Sequence, residues 1–141
     1  MIFPYHPYEV HPTPWFPDGI VYRPMVPLRV VSGMGGTTVV GLVDTGADET
    51  ILPDFLVRTL GIDVDRRKTA AFRGVGEQSI QGVFGDVTLE VRQGRRSERW
   101  EATVAFISGP TVAILGRHGF LEHFRATFDD QERKLTLSPF R

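Results

Sequence analysis

Short runs rich in β-branched residues, each stopped by glycine or proline, constrain the fold of this 141-residue chain more than any other feature. Val26–Val31 and Thr37–Val43 are such runs, joined by Ser32-Gly33-Met34-Gly35-Gly36, which reads as a glycine-rich hairpin turn. Strand-like segments follow at Thr69–Phe72, Ser79–Val91 and Trp100–Ile107, the last two separated by a basic, solvated hairpin tip from Arg92 to Arg99. Val112–Leu115 is a buried run ending at Gly116. The chain closes with Ala126–Phe128, a polar turn at Asp129–Glu132 and the alternating strand Lys134–Ser138. Helical spacing occurs only in two short pieces. Pro53 opens a connector helix that buries Phe55, Leu56 and Leu60 and stops at Gly61, and Arg117–Phe124 sets Phe120, Leu121 and Phe124 on one helical face. Fifteen glycines and ten prolines fit an all-β chain of many tight turns.

The length suits one domain rather than two lobes. Seven of the ten prolines fall within the first 27 residues, so residues 1–19 read as an extended arm and 20–141 as the folded domain. The arm also carries Phe3, Tyr5, Tyr8, Trp15 and Phe16, which equip it to dock on the body or on a partner. A formal net charge of −1 provides no drive toward nucleic acid or an anionic membrane. There is no apolar run of membrane-spanning length, and the opening residues lack the basic start and apolar core of a signal peptide, so the expected location is cytoplasmic. Without cysteine, disulfides and thiol chemistry are excluded. His118 and His123 lie five apart and do not share a helical face, and no metal or other cofactor is expected. The glycines at 33, 35 and 36 lead into Thr37-Thr38-Val39-Val40 without a lysine or a helix, which argues against a phosphate loop.

The chemistry concentrates at Leu42-Val43-Asp44-Thr45-Gly46-Ala47-Asp48. A carboxylate at the end of an apolar strand, followed by a small hydroxyl residue and a glycine, is partly buried and aimed by its turn. Taken alone, the same residues also fit an Asx-turn that merely caps a strand.

Several separated segments resemble the retropepsin family of aspartic proteases, over about residues 21–138. Asp44-Thr45-Gly46-Ala47-Asp48-Glu49-Thr50 is similar to that family's active-site loop, and Ala113-Ile114-Leu115-Gly116-Arg117 to its second signature. Gly74-Val75-Gly76 stands where the family carries its flap tip, and Tyr22-Arg23-Pro24 resembles the segment before its first hairpin. The resemblance implies an all-β, closed-barrel-like homodimer with one short C-terminal helix and room for a second. Its catalytic acid would be Asp44, supported by Thr45, Gly46, Ala47, Asp48 and Arg117. The flap would comprise Phe72, Arg73, Gly74, Val75 and Gly76, and the apolar subsites Leu42, Ile51, Val112 and Ile114, with Glu49 at their rim. Arg23 matches an arginine that reaches toward the other subunit.

Hydrolysing a peptide without metal or covalent intermediate needs one carboxylate to activate water and one to protonate the carbonyl. The chain carries a single Asp-Thr-Gly, so the second acid is expected from another copy across a two-fold axis. Ala47 lacks a hydroxyl that could stabilise the ionised pair, which predicts a mildly acidic optimum. The implied partner is an extended peptide or protein with bulky apolar side chains at the cut. The same fold also admits a module that binds peptides without cutting them, or a latent form blocked by its N-terminal arm.

Overall fold

The computed structural model describes residues 1–73, 79–109 and 112–140. Twelve strands occur among them: β1 (Ile2–Pro4), β2 (His6–Glu9), β3 (Ile20–Arg23), β4 (Met25–Ser32), β5 (Gly35–Val43), β6 (Ile51–Pro53), β7 (Val64–Arg73), β8 (Ser79–Gln93), β9 (Arg96–Ile107), β10 (Ala113–Leu115), β11 (Phe124–Asp129) and β12 (Lys134–Pro139). One helix, α1 (Phe55–Leu60), follows Pro53 as the sequence predicts and ends on Gly61 at φ 59°, a left-handed position suited to glycine.

The strands run in the order β4-β5-β10-β6-β9-β8, and β8 pairs back onto β4, closing a six-stranded barrel; β7 extends β8 outward. Closure follows from patterning. Val26, Leu28 and Val30 of β4, Val87, Leu89 and Val91 of β8, Val104 and Phe106 of β9, and Leu115 of β10 are all buried. Alternation on β4 and β8 sends these side chains inward, and each contributes about 1.5–3 kcal/mol when removed from water. At the closing seam Arg29 lies opposite Glu90, their charged groups 3.7 Å apart, and Arg92 approaches the same carboxylate at 3.0 Å. A single-residue slip there would separate the acid from Arg29 and turn the apolar faces outward.

A second, three-stranded sheet has the order β1-β12-β11. Met1, Phe3 and Tyr5 alternate with exposed Ile2 and Pro4, and their buried side chains join Leu135 and Leu137 in the core. β2 and β3 form a separate antiparallel pair. The proline-rich opening segment therefore packs on the body of its own chain, while Trp15 and Phe16 stay exposed.

The helix expected over Arg117–Phe124 does not form; only one 3₁₀ turn, Leu121–His123, is present. Gly119 adopts φ 88°, outside the right-handed helical region. Its carbonyl accepts the indole N–H of Trp100 at 2.8 Å, and its N–H donates to the Glu122 carboxylate at 2.8 Å. Phe120 and Phe124 are buried all the same, because both rings pack edge-on to Trp100.

Candidate active site

β10 is the structural reason that Asp44 and Gly116 meet. It lies between β5 and β6, parallel to the first and antiparallel to the second, so the chain from β5 to β6 must cross over the end of β10. That crossing is residues 44–50, and beneath it runs the exit of β10 at Gly116. A side chain at Gly116 would collide with the backbone carbonyls of Glu49 and Ala47. Glycine is required there by this close approach rather than by its own backbone angles.

The two segments are fastened by hydrogen bonds. Asp44 N–H donates to Leu115 O at 3.1 Å, Arg117 N–H to Ala47 O at 2.8 Å, and His118 N–H to Asp48 O at 2.8 Å. Thr50, with no exposed surface, adds a second kind of tie, through its side chain. Its hydroxyl donates to His118 O at 2.8 Å and accepts the Gly116 N–H at 3.2 Å, while its own N–H also reaches His118 O. Thr50 belongs to the loop motif, and its place directly before the apolar run Ile51-Leu52 is the sequence signal that it is buried and so needs hydrogen-bond partners.

Asp44 is half-buried at the tip of β5, and its Oδ1 accepts the Gly46 N–H at 2.8 Å. This is the Asx-turn bond, and it also fixes the carboxylate's orientation. Thr45 is exposed beside it and lines, with Asp48, Arg117, His118, Leu121, Glu122, Phe124, Ala126 and Phe128, an open concavity of about 580 Å³. None of the residues lining it belongs to the first nineteen. Asp48 and Arg117 share this wall, set side by side by the Arg117–Ala47 and His118–Asp48 backbone bonds; among the described residues no ion pair links their side chains.

The apolar candidates form a row. Ile114 lies opposite Leu42 on one side and Ile51 on the other. Their neighbours Val43, Leu115 and Leu52 fill the barrel, so this row occupies the outer face, and all three side chains are half-buried. Val112, also half-buried, precedes the row, and Glu49 is bridged to His118. Phe72 packs toward Phe84 with ring centres 6.3 Å apart, and Arg73 ends β7. Gly74, Val75 and Gly76 lie outside the described residues. The Arg23 guanidinium rests on the Tyr8 ring of its own chain at 4.1 Å.

Electrostatics around the concavity centre on Glu122. The Gly119 N–H, and then the nearby His118 and His123, hold its carboxyl below the usual range against the opposing effect of burial. His118 Nδ1 lies 3.4 Å and His123 Nε2 3.7 Å from its Oε1. Burial against Trp100, with ring centres 5.0 Å apart, lowers the pKa of His123 despite that acid. Among the described residues no cluster of three or more metal-ligating side chains occurs, and no helix is long and apolar enough to cross a membrane.

The chain is similar to a solved structure of the EIAV protease complexed with the inhibitor HBY-793, with 25% identity, 67% of this chain and 82% of that one covered, and a TM-score of 0.40. No curated protein matches. A family model described as aspartyl protease matches residues 26–118, more than half of the chain. Since that span holds both the Asp44 loop and the Gly116 crossing, the retropepsin-like resemblance stands and the chain belongs to the aspartyl protease family.

Proposed function

We propose that the protein is an aspartic endopeptidase in which Asp44 from each of two identical chains activates one water to hydrolyse an extended, apolar peptide. The observation that carries this reading is the single Asp-Thr-Gly, aimed by the Gly46 amide and locked over Gly116 beside an open concavity. One such acid per chain is half of a catalytic pair.

Two carboxylates a few ångströms apart share one proton, because ionising both is costly. The ionised acid takes a proton from water as it attacks the peptide carbonyl, and the protonated acid gives its proton to the carbonyl oxygen. The resulting tetrahedral species collapses with proton transfer to the departing amine. Leu42, Ile114 and Ile51 supply an apolar outer surface next to the acid, which favours bulky apolar side chains flanking the cut. Thr45 and the Asp48–Arg117 wall support the loop, and Phe72 and Arg73 lead into the segment that would cover the substrate.

The test is cleavage of a peptide library across mildly acidic pH, with Asp44→Asn in parallel and a transition-state-mimicking inhibitor of aspartic proteases. Activity should fall by about 10²–10⁴-fold in Asp44→Asn, the usual contribution of a positioned acid or base, and the inhibitor should abolish it. Peptide binding without cleavage in the wild type would instead favour a binding module.

A further inference from the structure

The peptidase chemistry leaves the basic hairpin between β8 and β9 without a role. Arg92, Arg95, Arg96 and Arg99 fall within eight residues of a chain whose formal net charge is −1. The tip is held in place. Gln93 lies opposite Arg96, so only Gly94 and Arg95 make the turn, and Gly94 takes φ 59°. Gln93 also ties the hairpin to β1: its Oε1 accepts the Ile2 N–H at 2.8 Å, and its Nε2 donates to the Ile2 carbonyl.

Register carries this charge onto the outer face of the barrel. Val87, Leu89 and Val91 point into the core, so Thr88, Glu90 and Arg92 point out. Glu90 faces Arg29 of β4 on one side and Arg99 of β9 on the other. Its carboxylate is buried beneath arginines: Oε1 accepts the Arg92 Nε–H at 3.1 Å and lies 3.0 Å from Nη2, and Oε2 is 3.7 Å from Arg29 Nη1. Arg29 in turn is laid across Gly36, where any Cβ would collide with its guanidinium. These contacts leave Arg92 Nη1 and Arg29 Nη2 with no partner among the described residues, beside an open concavity of about 500 Å³ that Pro27 and Thr38 complete. Arg99 is exposed and, among the described residues, has no ion-pair partner. Three guanidiniums against one carboxylate leave the face positive.

We infer that this face binds an acidic segment of the protein substrate at a distance from the cut; the inference rests on the peptidase reading of Asp44. A guanidinium offers a planar fork of N–H groups that matches a carboxylate, and every cation here is arginine rather than lysine. Spacing suits an extended peptide. Arg29 and Arg99 lie two strands apart, about 10 Å, and Arg92 follows Glu90 by two residues, about 7 Å; carboxylates at alternate positions of an extended peptide repeat at about 7 Å. The buried Glu90 holds the forks in position before a ligand arrives, and it repels a polyanion laid directly over it. Around it the face offers Pro27, Thr38, Thr88 and Ser97 but no aromatic ring on which a base could stack, which favours peptide over nucleic acid. Thr38 precedes Asp44 by six residues along β5, about 20 Å, so the acidic segment belongs about six residues or more from the scissile bond.

The probe is a fluorescein-labelled peptide of alternating glutamate and serine, about ten residues long, titrated with the full chain and followed by anisotropy. It should bind, and be released as salt is raised. Arg99→Glu should weaken binding about tenfold or more, and Arg92→Lys, which keeps the charge over Glu90 but loses the fork, about threefold or more. Either variant binding like the wild type, or a single-stranded oligonucleotide of equal charge binding as tightly, would overturn the inference. Cleavage separates it from the peptidase reading. Joined to a cleavable apolar peptide through a flexible linker of about ten residues, whose reach matches the span to Asp44, the acidic segment should lower KM about tenfold, and Arg99→Glu should erase that gain. Binding that follows the arginines with no cleavage of any peptide keeps the anion-binding face and rejects the peptidase; cleavage that gains nothing from the acidic segment does the reverse.

Discussion

Thr50 shows how much of the site depends on a residue that never touches substrate. Its hydroxyl bonds both to Gly116, at the exit of β10, and to His118 in the segment after it. Thr50→Val keeps the shape, removes the donor to His118 O and leaves the buried Gly116 N–H without a partner. Loss of about 1–3 kcal/mol is expected from that orphaned group, read as a lower thermal midpoint, together with a larger fall in kcat than rise in KM as the Asp44 loop loosens. Asp44 itself was legible because its chemistry is local: strand, acid, hydroxyl residue and glycine are contiguous in sequence. The role of Thr50 was not, since its two partners lie more than sixty residues away. The same distance hid the reason for Gly116, which is the carbonyl of Glu49 pressed against it.

Elements whose partners are adjacent in the chain were the ones that sequence exposed. The β4–β5 and β8–β9 hairpins and α1 fall where glycine and proline punctuate the pattern, although the turns are tighter than expected, with Ser32 directly opposite Gly35 and Gln93 opposite Arg96. The opening segment was legible as extended but not for what it joins, because its partner β12 is at the other end of the chain. Pro4 is tolerated there since its missing amide falls on the side away from β12. Arg117–Phe124 has the spacing of a helix, yet Trp100 takes the Gly119 carbonyl and the Glu122 carboxylate takes its amide, so side-chain bonds replace helical ones.

That replacement yields a pH prediction for the same turn. His123 has a folded pKa below its ordinary value because burial against Trp100 disfavours the imidazolium. The unfolded chain then binds more protons in mild acid, so stability should fall as pH drops from about 6.5 toward the folded pKa and change no further below it. Nuclear magnetic resonance titration of the His123 ring should give a midpoint below 6.5, and His123→Gln should remove this contribution to the slope of thermal stability against pH. A midpoint at or above the ordinary value would contradict the burial argument.

For the whole molecule, a closed barrel built around Val26, Leu89, Phe106 and Leu115 positions one acid and leaves a row of apolar side chains outside it. On the proposed reading the chain is half of an enzyme. Peptidase activity per chain should therefore rise with protein concentration until the dimer saturates, and should be concentration-independent only above that point. Mixing wild-type chains with Asp44→Asn chains at fixed total concentration, with free exchange of subunits, measures the central claim most directly. If each site needs an acid from both chains, activity follows the square of the wild-type fraction, and a half-and-half mixture retains about a quarter of full activity. A linear decline would mean that one Asp44 suffices, and the paired-acid mechanism would be wrong.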